Sequence, residues 1–301
     1  MAFNNGPRYL SDFEAKKAII EVGKRMYAKG FVASNDGNIS IRVGPNAIWT
    51  TPTGVSKGYM TQDMLVKINL DGKVLVGRNK PSSEVKMHLR VYQENPEVMA
   101  VTHAHPPVAT SFAIAGISLD RAILPEAVVN LGSVPIAHYA TPGSTGVPDS
   151  IAPYCKSHNA VLLANHGALS WGKDVFEAYH RLESLEYYAT VLMYTGNIIG
   201  KANELSCSQV SELISIREKL GIKTGGIPPC STIVTNDKDV VSSSNTEDLK
   251  VKSNSKPNYP TYIDSNSGCE ISIRPKPQSK EEVMEELINK ITAKVLESLK
   301  G

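Results

Sequence analysis

The chain has 301 residues, 41% of them hydrophobic, with a formal net charge of +2. That length allows one large domain or two small ones, and the apolar content suffices for a buried core. The near-neutral charge removes the general electrostatic case for a nucleic-acid partner, and no apolar run approaches a membrane span. Residues 1–7 are polar and carry no apolar signal core, so a cytoplasmic location is expected. The four cysteines, Cys155, Cys207, Cys230 and Cys269, are widely spaced without a CxxC pair and are expected to be reduced thiols.

Ser11-Asp-Phe-Glu14 has the form of a capping box. Ala15, Ile19, Val22 and Met26 follow at helical spacing, and Gly30 ends that helix. Ser34-Asn-Asp-Gly-Asn38 is turn chemistry, and Ile39 to Val43 alternates like a strand. Ile48 to Thr51 gives a second strand running into Pro52-Thr-Gly-Val-Ser56. Leu65–Leu70, Asp71-Gly72 and Lys73–Val76 form a hairpin signal, so the first half predicts an antiparallel meander. Pro81-Ser-Ser-Glu84 opens a helix to about Glu94, with Ser82 and Ser83 as candidate caps.

Val98–Val101 reads as a strand leading into His103-Ala-His105, and residues 106–115 as a short helix entered through two prolines. Gly132–His138 gives a short strand, residues 149–158 a helix, and Ala160–Ala164 a strand ending near His166. Asp174 caps a long helix through Tyr194, whose tyrosines suit core or subunit contacts, and a further helix runs from about Ser208 to Leu220. Composition changes there. Residues 1–222 form the main domain, and 223–278 read as a flexible linker rich in Ser, Asn, Pro and Lys. Residues 279–301 read as an amphipathic helix behind a second capping box. That helix could fold back, oligomerise, or dock on another protein.

The chemistry-bearing residues are few. On a strand, positions two apart point to one side, so His103 and His105 would present paired imidazoles. With His166 at the end of a second strand, they would make a three-histidine metal site with an open position. Glu84 is either a charge serving the helix dipole or a carboxylate beside that metal, able to take a proton from carbon. Asn38, Thr53-Gly54, Ser82 and Ser83 are small neutral donors, read singly as turns or caps and together as a phosphate site.

Asn38, Thr53-Gly54, Pro81-Ser-Ser-Glu84, His103-Ala-His105 and Asn165-His166-Gly167 occur in the order and approximate spacing of the class II aldolase/adducin family. The resemblance covers roughly residues 10–222. It implies an α/β fold: a three-layer α-β-α sandwich with a mostly antiparallel central sheet. It also implies a homotetramer with sites between subunits. By resemblance His103, His105 and His166 bind Zn2+, and Glu84 is the acid/base and an occasional metal ligand. Asn38, Thr53, Gly54, Ser82 and Ser83 would hold a sugar phosphate. The implied reaction is cleavage of L-fuculose 1-phosphate or L-rhamnulose 1-phosphate to dihydroxyacetone phosphate and L-lactaldehyde. Alternatives on the same scaffold are a sugar-acid phosphate decarboxylase, a pentulose-phosphate 4-epimerase and a non-enzymatic adducin-like module. The epimerases tend to carry Asp where this chain has Glu84. A Schiff-base aldolase through Lys57 or Lys86 is a further alternative. The family tyrosine after the histidine pair is missing, with Glu126 in that segment. The tail resembles the encapsulation peptides of bacterial microcompartment enzymes, which implies a shell-protein partner.

Overall fold

The computed structural model describes residues 8–199 and 202–230. Cys269, the expected terminal helix 279–301 and most of the expected linker lie outside those residues. The described helices are α1 (Asp12–Ala28), α2 (Val85–Glu94), α3 (Pro107–Ala115), α4 (Pro125–Asn130), α5 (Gly146–Ile151), α6 (Val175–Met193) and α7 (Cys207–Lys219). The capping box of α1 forms as read. Ser11 Oγ accepts from Glu14 N, and Ser11 N donates to the Glu14 carboxylate.

Strands β1 (Asn38–Gly44), β2 (Ala47–Thr50), β3 (Val66–Ile68) and β4 (Val74–Val76) make the expected antiparallel meander. With β5 (Ala100–Ala104), β6 (Ile136–Ala137), β7 (Ala160–Leu163) and β8 (Gly167–Gly172) they form one sheet, ordered β4-β3-β2-β1-β5-β8-β7-β6. Every pairing is antiparallel except β6 with β7. Strand alternation sorts side chains into two cores. Ile39, Ile41, Ala100, Ala104, Ala160 and Leu162 pack with α1, α3 and α6. Ile48, Val66, Ile68, Val101, Val161 and Leu169 pack with α2 and α5. The sheet is thus sandwiched between helical layers, the three-layer α-β-α architecture that was expected. Trp171, almost wholly buried, is the largest such side chain, and truncating it would cost about 3–5 kcal/mol.

The elements depart from the sequence reading in several places. Strand β8 carries no alternation, because Gly167-Ala-Leu-Ser-Trp-Gly172 is buried on both faces. The short α4 is entered through Pro125, a start that a single proline does not announce. Helix α5 begins at Gly146, earlier than expected, and yields to a 3-10 turn at Ala152–Tyr154. The reduced-thiol expectation is corrected: Cys207 and Cys230 form a disulfide, with Cα atoms 5.1 Å apart. Their separation of 23 residues is no local motif. Gly221, at φ +75°, reverses the chain and brings Cys230 back to the start of α7. Cys155 is free and buried.

Residues 224–226, given by composition to the linker, are hydrogen-bonded to the core. Gly225 N and Gly226 N donate to Ser157 O, and Ser133 N donates to Gly225 O. Arg217 donates to Gly226 O and to Val128 O. These are hydrogen bonds rather than apolar contacts, so hydrophobic patterning cannot show them. No described helix is long and apolar enough to cross a membrane.

Candidate metal centre

His103 lies inside β5, opposite Asn38 of β1 and Leu169 of β8, and its side chain is fully buried. Its Nδ1 is 2.9 Å from Ala168 O. A carbonyl can only accept, so Nδ1 donates to it and Nε2 is the atom turned toward the other imidazoles. His105 stands one residue past the strand, anchored by its N–H to Phe31 O. Its Nδ1 is 3.5 Å from the Asp36 carboxylate, which favours the proton there, and its Nε2 is 3.2 Å from His103 Nε2. Two lone pairs facing each other at that distance repel unless a proton or a cation lies between them.

His166 occupies the turn from β7 to β8. Asn165 adopts a left-handed φ of +57°, and His166 N closes onto Leu163 O. The turn presents its imidazole with ring centroids 4.8 Å from His103 and 5.0 Å from His105. Gly167 makes room for this. A Cβ there would meet His105 Cδ2 at 2.5 Å and Ala104 O at 2.6 Å. One ligand atom from each histidine lies within 4.8 Å of the others. Nitrogens bound about 2.0–2.1 Å from a tetrahedral ion stand about 3.3 Å apart, close to the observed Nε2 pair. The three imidazoles therefore fit a divalent metal ion.

Glu84 sits at the N-cap position of α2 but makes no side-chain cap. Its carboxylate turns to the imidazoles instead, 2.9 Å from His166 Nε2 and 3.4 Å from His103 Nε2. Asn38 Nδ2 donates to it at 3.3 Å. Burial alone would raise the Glu84 pKa; His103 and His166 together outweigh it and hold the carboxyl ionised, below the usual range. Burial, with the neighbouring His103 and His166, pushes His105 down to about 4. A neutral imidazole beside an ionised carboxylate is the protonation state a metal requires.

The small donors converge in part. Asn38 Nδ2 also donates to Ser82 Oγ at 3.0 Å, and Ser82 Oγ accepts from Glu84 N. The Thr53-Gly54 turn is tied to this stretch by the Pro52–Pro81 bridge, by Thr53 N donating to Lys80 O and by Ser82 N donating to Thr51 O. Thr53, Gly54 and Ser83 are exposed, whereas Asn38 is buried with its Oδ1 unpartnered among the described residues.

Sequence reasoning missed four neighbours. Asp36 backs His105 from a turn that reads as punctuation. Glu186 of α6 accepts from Val108 N and Ala109 N and so anchors the helix that follows the histidine pair. His88 and Tyr92 are buried and both reach Ser40 Oγ at 2.8 Å. Their spacing from Glu84, four and eight along one helix face, was a legible signal. Lys57, weighed as a Schiff-base candidate, is buried and donates to two backbone carbonyls. Glu126 lines a cleft of about 630 Å³ with Lys29, Phe31, Glu183, Glu186 and Tyr187, apart from the three histidines.

The fold carries a three-histidine cluster that could hold a metal ion, and it belongs to a known superfamily. Residues 17–193 match the family model described as class II aldolase and adducin N-terminal domain, and the chain belongs to that family. It is 30% identical over 207 residues to a 3-oxo-tetronate 4-phosphate decarboxylase of Pectobacterium atrosepticum, covering 67% of this chain and 94% of that protein. It is 32% identical over 179 residues to an L-fuculose phosphate aldolase of Methanococcus maripaludis, covering 60% of this chain and 96% of the relative. Among solved structures, an L-fuculose 1-phosphate aldolase superposes with a TM-score of 0.65 at 28% identity, covering 72% of this chain and all (100%) of the other.

Proposed function

We propose that this chain is a zinc-dependent aldolase. It reversibly cleaves L-fuculose 1-phosphate, or the related L-rhamnulose 1-phosphate, to dihydroxyacetone phosphate and L-lactaldehyde. The observation that carries this reading is the Glu84 carboxylate, 2.9 Å and 3.4 Å from two of three clustered imidazole nitrogens. Three neutral nitrogen donors suit zinc, which would act there as a Lewis acid on the substrate ketone.

The remaining chemistry belongs to the chain. In cleavage, the C3–C4 bond breaks and its electron pair passes to C3, giving an enediolate. The C4 hydroxyl loses its proton to a base at the mouth of the site as the aldehyde carbonyl forms. Glu84 takes up a proton from water and delivers it to C3, completing dihydroxyacetone phosphate; in synthesis it removes that proton. Asn38, Thr53, Gly54, Ser82 and Ser83 hold the phosphate and fix C3 against the carboxylate. The likeness to fuculose phosphate aldolases supports the substrate class. A homotetramer with sites at subunit boundaries belongs to the same reading.

A second reading has specific support. Relatives named 3-oxo-tetronate 4-phosphate decarboxylase match over two thirds of the chain. Residues 123–129 also contain no tyrosine to serve an aldehyde oxygen. In decarboxylation the C1–C2 bond breaks, carbon dioxide leaves, and Glu84 protonates C2 of the same enediolate. The departing fragment then has no hydroxyl to deprotonate.

Product analysis separates the two. Incubation with each sugar phosphate is expected to release L-lactaldehyde, to fail after chelation and to recover with zinc. Carbon dioxide from 3-oxo-tetronate 4-phosphate, without aldehyde from the others, would transfer the assignment to the decarboxylase. No product from any substrate would end both.

We also propose that residues 279–301 dock on a microcompartment shell protein, which would confine a reactive aldehyde. Their apolar stripe, Met284, Leu287, Ile288, Ile291, Val295 and Leu299, supports this. A reporter fused to 279–301 should concentrate with co-expressed shell proteins; diffuse signal with and without them would contradict it.

A further inference from the structure

Lys57 is an unusual resident of the interior. It is 1% exposed, and its Nζ donates to Asn35 O at 2.5 Å and Val55 O at 2.8 Å. Desolvating an ammonium is costly, and two neutral carbonyls offset only part of that cost. Burial pulls its pKa down to about 8, opposed by Asp36 and then Glu84. At neutral pH the group stays mostly cationic. A charge retained at such a cost, with its nearest counter-charges flanking the metal centre, calls for a role.

The two carbonyls belong to two separate turns. The first, Ser34–Gly37, has left-handed residues at both ends, φ +50° and +75°, carries Asp36 and leads into Asn38. The second holds Thr53 and Gly54, with Gly54 at φ +72°. A third segment, Lys80–Glu84, is bound to the second by the Pro52–Pro81 bridge and to the first by Asn38 Nδ2 on Ser82 Oγ. Lys57 supplies a direct tie between the first turn and the second. Its own backbone is pressed against α1, where a Cβ on Gly23 would meet Lys57 O at 2.6 Å. The clamp therefore works from a fixed base. Two buried polar atoms in these segments have no partner among the described residues, Asn38 Oδ1 and Ser56 Oγ. Of the two, the Ser56 hydroxyl has a proton to give an anionic ligand, whereas Asn38 Oδ1 can only accept.

We propose that Lys57 is the positioning residue of the anion pocket: its ammonium draws the Asn35 and Val55 carbonyls together, so that Asn38, Thr53, Gly54 and Ser82 converge on a phosphate monoester. The proposal rests on the phosphate-binding reading above and adds the group that holds that pocket in shape. Lys57 itself does not touch the reacting atoms.

The test uses the full-length, metal-loaded protein and inorganic phosphate as the probe. In the wild type, phosphate should slow amide hydrogen exchange in residues 35–37 and 53–56. Lys57→Met should weaken phosphate binding and raise KM for the phosphorylated substrate about 10–100-fold, with kcat within about threefold and metal content unchanged. Lys57→Gln, which keeps a donor for one carbonyl, should fall between the two and serves if Lys57→Met does not fold. If the wild type neither binds phosphate nor prefers phosphorylated over unphosphorylated ketoses, the phosphate reading fails and takes this proposal with it. If the wild type does both and neither variant changes phosphate affinity or KM, the proposal alone is overturned. Loss of metal or of kcat in step with KM would also overturn it, since it would make Lys57 a general prop of the fold.

Discussion

Two regions of the described chain are held in different ways. The candidate metal centre is built on β5 and the β7–β8 turn, in the middle of an eight-stranded sheet. There His103 is locked on three sides by neighbouring strands and the Ala168 carbonyl. The stretch that closes the described chain, α7 and residues 221–230, rests on α4 through a small apolar cluster, Ala122, Val128 and Val210. A disulfide, Arg217 and a few backbone hydrogen bonds supply the rest of its attachment. The contrast separates two tasks. Catalytic geometry needs tolerances of a fraction of an ångström, and the buried strands β5 and β8 can hold side chains that firmly. The periphery needs only to stay attached, so its composition is free to drift toward polar residues.

The sharpest way to break the comparison is at Glu84. Glu84→Gln keeps the shape and removes the base, so lyase turnover should fall about 10²–10⁴-fold while metal content stays near one ion per chain. Steady-state rates with metal analysis check both halves. A smaller effect is expected one step out. Asp36→Asn removes the carboxylate behind His105 and should weaken metal affinity about 10–100-fold, read by competition with a chelating dye.

The third prediction concerns pH. His105 and His88 are held neutral, with pKa values down to about 4 and about 3, so the unfolded chain binds more protons than the metal-free native state between those values and 6.5. The two histidines should therefore make the stability of the metal-free protein fall as the pH drops from 6.5 toward 4. Denaturant midpoints across that range check the sign. The smallest catalytic effect belongs to the periphery. Cys207→Ser should lower stability by up to about 3 kcal/mol while leaving kcat and KM unchanged. Equal damage to turnover would erase the distinction between the two regions.

Much of the centre was legible because its chemistry is carried by residue types with few other uses. Three histidines, two of them two apart after a strand-like run, and a glutamate behind two serines left a clear trace. The capping box at Ser11, the meander through Val76 and the stripe of α1 followed from local periodicity. What stayed hidden was non-local. Strand β8 is buried on both faces and shows no period. Asp36 and Lys57 matter only because folding sets them beside His105 and between two turns. The Cys207–Cys230 bond depends on a reversal at Gly221 that spacing alone does not encode, and residues 224–226 are held by hydrogen bonds, some from the Arg217 and Thr224 side chains, that leave no apolar pattern.

The central claim is one divalent ion on His103, His105 and His166 with Glu84 poised to move a proton on carbon. The most direct measurement is aldehyde release from L-fuculose 1-phosphate by wild type and His103→Ala, with bound metal counted in the same samples. The account predicts about one ion per wild-type chain, activity that disappears on chelation and returns with zinc, and a variant lacking both metal and turnover. Full activity in metal-stripped wild type, or in a His103→Ala protein free of metal, would contradict it.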